Sequence, residues 1–261
     1  MSDPRYAIYF VPPADTALYR TGAALIGYDV YRGERLPFPA GLGLPDGEWS
    51  ALTREPRVYG FHATLKAPFR LAPGRREDDL AAEVAAFAGA WREGTAVTPA
   101  LCVVDGRFAA LVGEVPCAAL DRLAAGCVRA FEEFRAPLGD AERRRRLAVP
   151  LTARQRDHLE RWGYPYVFED FRFHMTLTGP LPPSRRDAVL SCLQESLGAV
   201  AGTRAAVDRI ALLRQDDPGR SFRLLASAPL PAPDGVIGVS SAADTPDRAV
   251  SVGPRRDSDR R

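Results

Sequence analysis

The chain has 261 residues, of which 46% are hydrophobic and 26% charged, and its net charge is +2 at pH 7. These are ordinary values for a globular protein long enough to bury a core, and they exclude a fibrous or wholly disordered chain. So small a net charge also excludes the global positive field that drives sequence-independent nucleic-acid binding.

The opening MSDPRYAIYFVPP has a short apolar run with no basic stretch before it, unlike a signal peptide or a membrane span. A cytoplasmic location with no membrane partner is the expectation. Tyr6 to Val11 reads as a strand closed by Pro12-Pro13, and residues from about Ala14 to Tyr28 show helical spacing. From Tyr31 to Arg57 glycines and prolines dominate, which predicts a long surface loop; its segment 33–47 is either a lid over a site or simple surface.

Val58 to Phe69 reads as a strand with a polar stripe, and a helix is expected from about Glu77 to Arg92. Ala100 to Val104 and Phe108 to Val112 flank Asp105-Gly106, a hairpin signal. A helix from about Cys117 to Phe134 follows. The four arginines Arg143 to Arg146 open a helical stretch and read as a solvated helix face. Tyr166 to Leu181 predicts a second striped strand. A helix after Pro182-Pro183, strands near Val207 to Arg214 and Phe222 to Ala228, and a disordered tail from about Pro229 complete the chain. Without strict βαβ alternation, the order argues for an α+β fold.

Cys102, Cys117, Cys127 and Cys192 form no CxxC pair or zinc spacing and read as buried small apolar residues. His158, in a polar helical segment, reads as a surface residue. A metal site of His62, His174 and His158 is disfavoured because no HxH, HxxE or nearby carboxylate pattern accompanies them. The only lysine is Lys66.

The chemistry lies in a doubled motif: FHATLKAPF at Phe61 to Phe69 and FHMTLTGPL at Phe173 to Leu181. Two of only three histidines occupy matched positions, which makes the pair far more specific than a lone short match. On a strand, alternation puts His62, Thr64 and Lys66 on one face, and His174, Thr176 and Thr178 on one face of the second copy. Each copy is followed by a helix and two strands, a weak internal repeat.

Brought side by side about a pseudo-twofold axis, the two strands surround one small volume with two imidazoles and two hydroxyls. One histidine can take the proton of an attacking oxygen while the other gives one to a leaving oxygen. Thr64 and Thr176 can donate to the non-bridging oxygens of a phosphate, and Lys66 adds a point charge. Tyr59, Arg172, Thr178 and Tyr9 are further candidate substrate contacts.

The two His-x-Thr-Leu motifs resemble the signature of the 2H phosphoesterase superfamily, and YGFHATLKAPF and FRFHMTLTGPL resemble its DUF1045 branch, associated with phosphonate-utilisation operons. The resemblance implies a bilobal fold of two pseudo-symmetric antiparallel-sheet lobes flanked by helices around a central cleft. It implies one domain over 1–230, with the lobe boundary near 115–165 and 231–261 as tail. It further implies a phosphodiesterase with His62 and His174 as acid and base, no metal or other cofactor, and a small phosphate ester or short oligonucleotide as partner. In the phosphonate branch the substrate would be a phosphorylated intermediate such as a ribosyl cyclic phosphate. Two alternatives remain: a non-catalytic sensor of a phosphorylated metabolite or RNA end, and an RNA-processing enzyme using Arg143 to Arg146 as a basic track. No stable nucleic-acid partner is expected.

Overall fold

A computed structural model of the chain describes residues 4–233. In chain order its elements are β1 (Arg5–Phe10), α1 (Ala17–Ile26), β2 (Tyr28–Asp29), β3 (Glu34–Arg35), α2 (Asp46–Leu52), α3 (Arg54–Tyr59), β4 (Ala63–Phe69) and α4 (Glu77–Ala90). Then come β5 (Ala96–Val97), β6 (Pro99–Val104), β7 (Phe108–Gly113), α5 (Ala118–Ala130), α6 (Asp140–Leu147), α7 (Ala153–Trp162) and β8 (His174–Thr176). The last are α8 (Arg186–Leu197), β9 (Ala205–Ala206), β10 (Arg209–Gln215) and β11 (Arg223–Pro229).

Local chemistry sets the boundaries. The Thr16 hydroxyl accepts from the Tyr19 N–H at the start of α1, and Gly27 ends the helix at φ 75. Between β6 and β7, Asp105 and Gly106 both have positive φ, the requirement of a tight hairpin turn whose twist matches its strands.

Seven strands form one sheet in the order β11-β10-β1-β4-β8-β7-β6, and every named pairing is antiparallel. The sheet has two lobes, one of four strands and one of three, joined only where β4 meets β8 at Ala63 and Met175. The repeat units exchange partners across this seam. The hairpin β6–β7, which follows the first motif strand, pairs beside the second, while β10–β11, which follow the second, join the lobe of the first through β1. Helix α4 packs on β10 and β11, and α5 on β4. Ile8, Phe10, Phe61, Ala63, Leu111 and Met175 are fully buried. None of the helices among the described residues is long and apolar enough to cross a membrane.

Several expectations are corrected. The stretch read as a loop over 31–57 contains β3, α2 and α3. Helix α2 follows directly on Pro45, and Pro56 lies in the first turn of α3, where a missing N–H costs nothing. Trp49 of α2 is fully buried and donates through Nε1 to the Leu25 carbonyl. The striped strand expected from Val58 starts only at Ala63, and the one expected over 166–181 shrinks to His174–Thr176 behind a turn at Phe168–Asp170. Of the four cysteines only Cys127 is buried, and Cys102 is exposed. His158 is largely covered and stands 3.5 Å from Asp170. The tail expected from Pro229 is ordered at its start, with Leu230 and Pro233 buried; 234–261 lie outside the described residues.

Candidate active site

The pairing of Ala63 with Met175 fixes the site. Both side chains are fully buried, so their neighbours face the other way. One step to either side, the antiparallel register sets His62 opposite Thr176 and Thr64 opposite His174. Each histidine therefore stands beside the threonine of the other copy, about a twofold axis through the Ala63–Met175 pair.

The two imidazoles are held in the same way. His62 Nδ1 lies 2.8 Å from the Gly60 carbonyl, and His174 Nδ1 lies 2.8 Å from the Arg172 carbonyl, two residues upstream in both cases. A carbonyl only accepts, so Nδ1 carries the proton in each ring, and Nε2 is the atom left for chemistry. The Thr64 hydroxyl donates to His62 Nε2 at 3.1 Å.

The His62 clamp depends on Gly60, which closes α3 at φ 78 and ψ 176, a conformation that only glycine adopts freely. A Cβ there would also fall 1.9 Å from Cγ1 of Val30. On the opposite face, the Phe61 ring fills the space where a Cβ of Gly22 would stand, at 2.4 Å. The motif strand is thereby pinned to α1.

Tyr9 lies in register with Thr64 and stacks on His62, with ring centroids 3.7 Å apart. Burial pushes the His62 pKa down to about 4, against the raising effect of the Gly60 bond, and the nearby His174 lowers it further. Burial likewise pushes the Tyr9 phenol up. Tyr59, the last residue of α3, stacks on Phe222 at 5.6 Å and stands 6.4 Å from His62.

These groups line a cleft of about 330 Å³ walled by Arg5, Tyr9, Tyr59, His62, Thr64, Arg145, Arg146, Tyr164 and Thr176. On the β7 side His174 lines a broader groove with Phe171, Arg172 and Phe168. Among the described residues of the segment 33–47 none lines either wall; Leu42 is buried and Gly43 packs near Cys192.

Two sequence candidates, Lys66 and Thr178, fall elsewhere, and a third, Arg172, stands at the rim of the groove. Strict alternation would put Lys66 with His62, but β4 bulges: Tyr9 pairs with Thr64 while its neighbour Ile8 pairs with Lys66, so one residue of β1 faces two of β4. The bulge turns Lys66 to the buried face, where its ammonium bonds Glu132 at 2.8 Å and the Val128 carbonyl at 2.9 Å. Thr178 is also buried beyond the end of β8, accepting from the Ala109 N–H and donating to the Gly179 carbonyl. The exposed Arg172 guanidinium donates to the Glu169 and Phe171 carbonyls, so its backbone holds His174 while its side chain sits on the groove rim.

Arg5 and Tyr164 were not anticipated, and Arg145 and Arg146 were named only as part of the basic track of the RNA-processing alternative. The arginine run was visible as a charge cluster, but nothing in its spacing showed that α6 leans over the sheet.

The model of the family described as a protein of unknown function, DUF1045, matches residues 64–223, more than half of the chain. The chain belongs to the DUF1045 family. It is 37% identical over 226 residues to a protein named ribose 1,5-bisphosphate phosphokinase PhnN from Janthinobacterium sp. (strain Marseille), covering 84% of this chain and 49% of that protein. A protein of the same name from Laribacter hongkongensis (strain HLHK9) is 32% identical over 222 residues, covering 84% and 50%. The DUF1045 chain thus spans about half the length of these curated relatives. Among solved structures it is similar to E. coli LigT complexed with 3′-AMP, at 16% identity and a TM-score of 0.39, covering 88% of this chain and 99% of that one. The conserved protein ATU0111 of Agrobacterium tumefaciens str. C58 aligns at 12% identity and a TM-score of 0.43, covering 87% and 86%. Both scores are too low to match residue with residue.

Proposed function

We propose that this protein is a phosphodiesterase that opens a cyclic phosphate with His62 as general base and His174 as general acid. The observation that carries the reading is the matched clamp on the two rings, which ties each Nδ1 to a backbone carbonyl and makes Nε2 the atom for chemistry, with the Thr64 hydroxyl on His62 Nε2 until substrate arrives. His62, held neutral by burial, enters as the proton acceptor. Its Nε2 takes a proton from water as the water oxygen bonds to phosphorus. The phosphorus–oxygen bond to the sugar breaks, and the departing oxygen takes the second ring proton of His174, which enters as the imidazolium with Nε2 protonated and leaves neutral. Thr176, and Thr64 once substrate has drawn its hydroxyl from His62 Nε2, donate to the non-bridging oxygens, where negative charge grows.

The names of the curated relatives suggest a sugar. Hydrolysis of a cyclic phosphate on ribose yields a ribose phosphate monoester, the class of compound that a ribose 1,5-bisphosphate phosphokinase takes. This fits a ring-opening step in phosphonate utilisation. The kinase activity in those names is not carried over, since this sequence has no Gly-Lys-Ser/Thr phosphate loop.

The test is a screen of chelator-treated protein against ribose cyclic phosphates, 2′,3′-cyclic nucleotides and short 2′-5′ and 3′-5′ oligonucleotides, with His62→Ala and His174→Ala alongside. Turnover of a cyclic phosphate, lost in both variants, is the expected result. Full activity in either variant overturns the assignment, and tight binding without turnover would make the cleft a sensor.

A further inference from the structure

We infer that Arg5, Arg145 and Arg146 form a second anion subsite beside the histidine pair, so that the substrate is a cyclic phosphate carrying an additional phosphomonoester. The inference deepens the catalytic reading above and rests on it for the identity of the reacting group, but not for the existence of the subsite.

The three arginines come from distant segments. Arg5 and Tyr9 share a face of β1, while Arg145 and Arg146 descend from the last turn of α6, and all line the cleft that holds His62, Thr64 and Thr176. Arg146 is placed for a ligand. Its side chain is 15% exposed, its guanidinium lies 5.1 Å over the Tyr164 ring, and its Nε is buried without a hydrogen-bond partner. A buried donor left unpaired is costly unless an acceptor arrives.

The charges do not balance from within. Glu142 is the carboxylate beside Arg145 and Arg146, at 3.7 and 2.8 Å, and it also faces Arg70 at 3.8 Å. Arg5 is held by the neutral amide oxygen of Gln215, and among the described residues it meets no carboxylate within ion-pair distance. Three arginines therefore line the cleft with one carboxylate shared between two of them, leaving an excess positive charge that a dianionic phosphate fits.

A charge patch for single-stranded RNA would be an open track with stacking aromatics. Here Tyr9 and Tyr59 are already stacked on His62 and Phe222, and the cleft holds only about 330 Å³. A small doubly phosphorylated sugar is the better match.

Two measurements test the subsite. The first is equilibrium binding of ribose 5-phosphate, which has no phosphodiester bond for the histidines to open. Arg145→Gln and Arg146→Gln are each expected to weaken it by about tenfold or more, the scale of a lost charged hydrogen bond, while His174→Ala still binds. Failure of the wild type to bind, or equal affinity in both arginine variants, overturns the proposal. The exposed Arg145 guards against misfolding of the half-buried Arg146 variant.

The second compares kcat/KM on a ribose cyclic phosphate with and without a 5-phosphate. A wild-type preference for the 5-phosphorylated compound that collapses in both arginine variants supports the subsite. An equal fall on both substrates shows a merely structural role and overturns it. If neither compound is turned over, the catalytic reading fails while the binding measurement still decides the subsite.

Discussion

The ring of Tyr9 lies on the imidazole of His62, with centroids 3.7 Å apart and planes 19° apart. Covered in this way, His62 resists protonation until about pH 4. Its active form is the neutral one, so the acid limb of kcat/KM should fall near pH 4 rather than at the ordinary imidazole value of 6.5. Tyr9→Ala should wet the ring and move that limb upward. A pH–rate profile of both proteins checks this; limbs near 6.5 in both would refute it.

The same shift couples folding to acid. Between pH 6.5 and about 4 the unfolded chain takes a proton at His62 that the folded chain refuses, so stability is lost as pH falls through that window. The loss from this group approaches roughly 3 kcal/mol at low pH. His62→Gln should lose less stability than the wild type over that range, as read by urea unfolding at pH 4.5 and 7.

Replacing either histidine by alanine should lower kcat by about 10²–10⁴-fold, the usual contribution of a positioned acid or base. The double variant should fall little further, because the two act in one step. Circular dichroism of each variant would show that the fold survives.

Gly60→Ala should cost about 1–3 kcal/mol through backbone strain alone, with the clash on Val30 in addition. It should reduce kcat more than it raises KM, because the Gly60 carbonyl orients His62. Unchanged kinetics with reduced stability would remove the orienting role.

Lys66→Met separates structure from chemistry. The variant breaks a buried pair with Glu132, which Arg135 continues to hold, so a loss of about 1–3 kcal/mol is expected. Its kcat/KM should stay close to wild type, as the ammonium points away from the cleft. A large fall in kcat/KM in a well-folded variant would return Lys66 to the site.

The pairing of His62 with His174 was legible because chemistry and strand preference repeated together in a sequence that has just three histidines. The hairpin at Asp105-Gly106 and helix α4 were legible from local signals. The position of Lys66 was not, because a β-bulge is a property of two strands together and alternation within one cannot reveal it. Helices α2 and α3 were hidden by the prolines at their starts, which read as loop markers although the first turn accepts them. The inward lean of Arg145 and Arg146 depends on how α6 packs, which a run of identical charges does not encode.

The exchange of hairpins across the seam gives the molecule the plan of a swapped dimer written as one polypeptide. Each motif strand is flanked by a segment that belongs in sequence to the other unit, so neither unit alone could present its own histidine in a finished wall. Two separate units would have to meet in solution, at a rate and occupancy set by their concentration. Joined in one chain, they meet at an effective concentration fixed by the linker. The cleft then assembles once per folding event, at any dilution, with one copy of each motif.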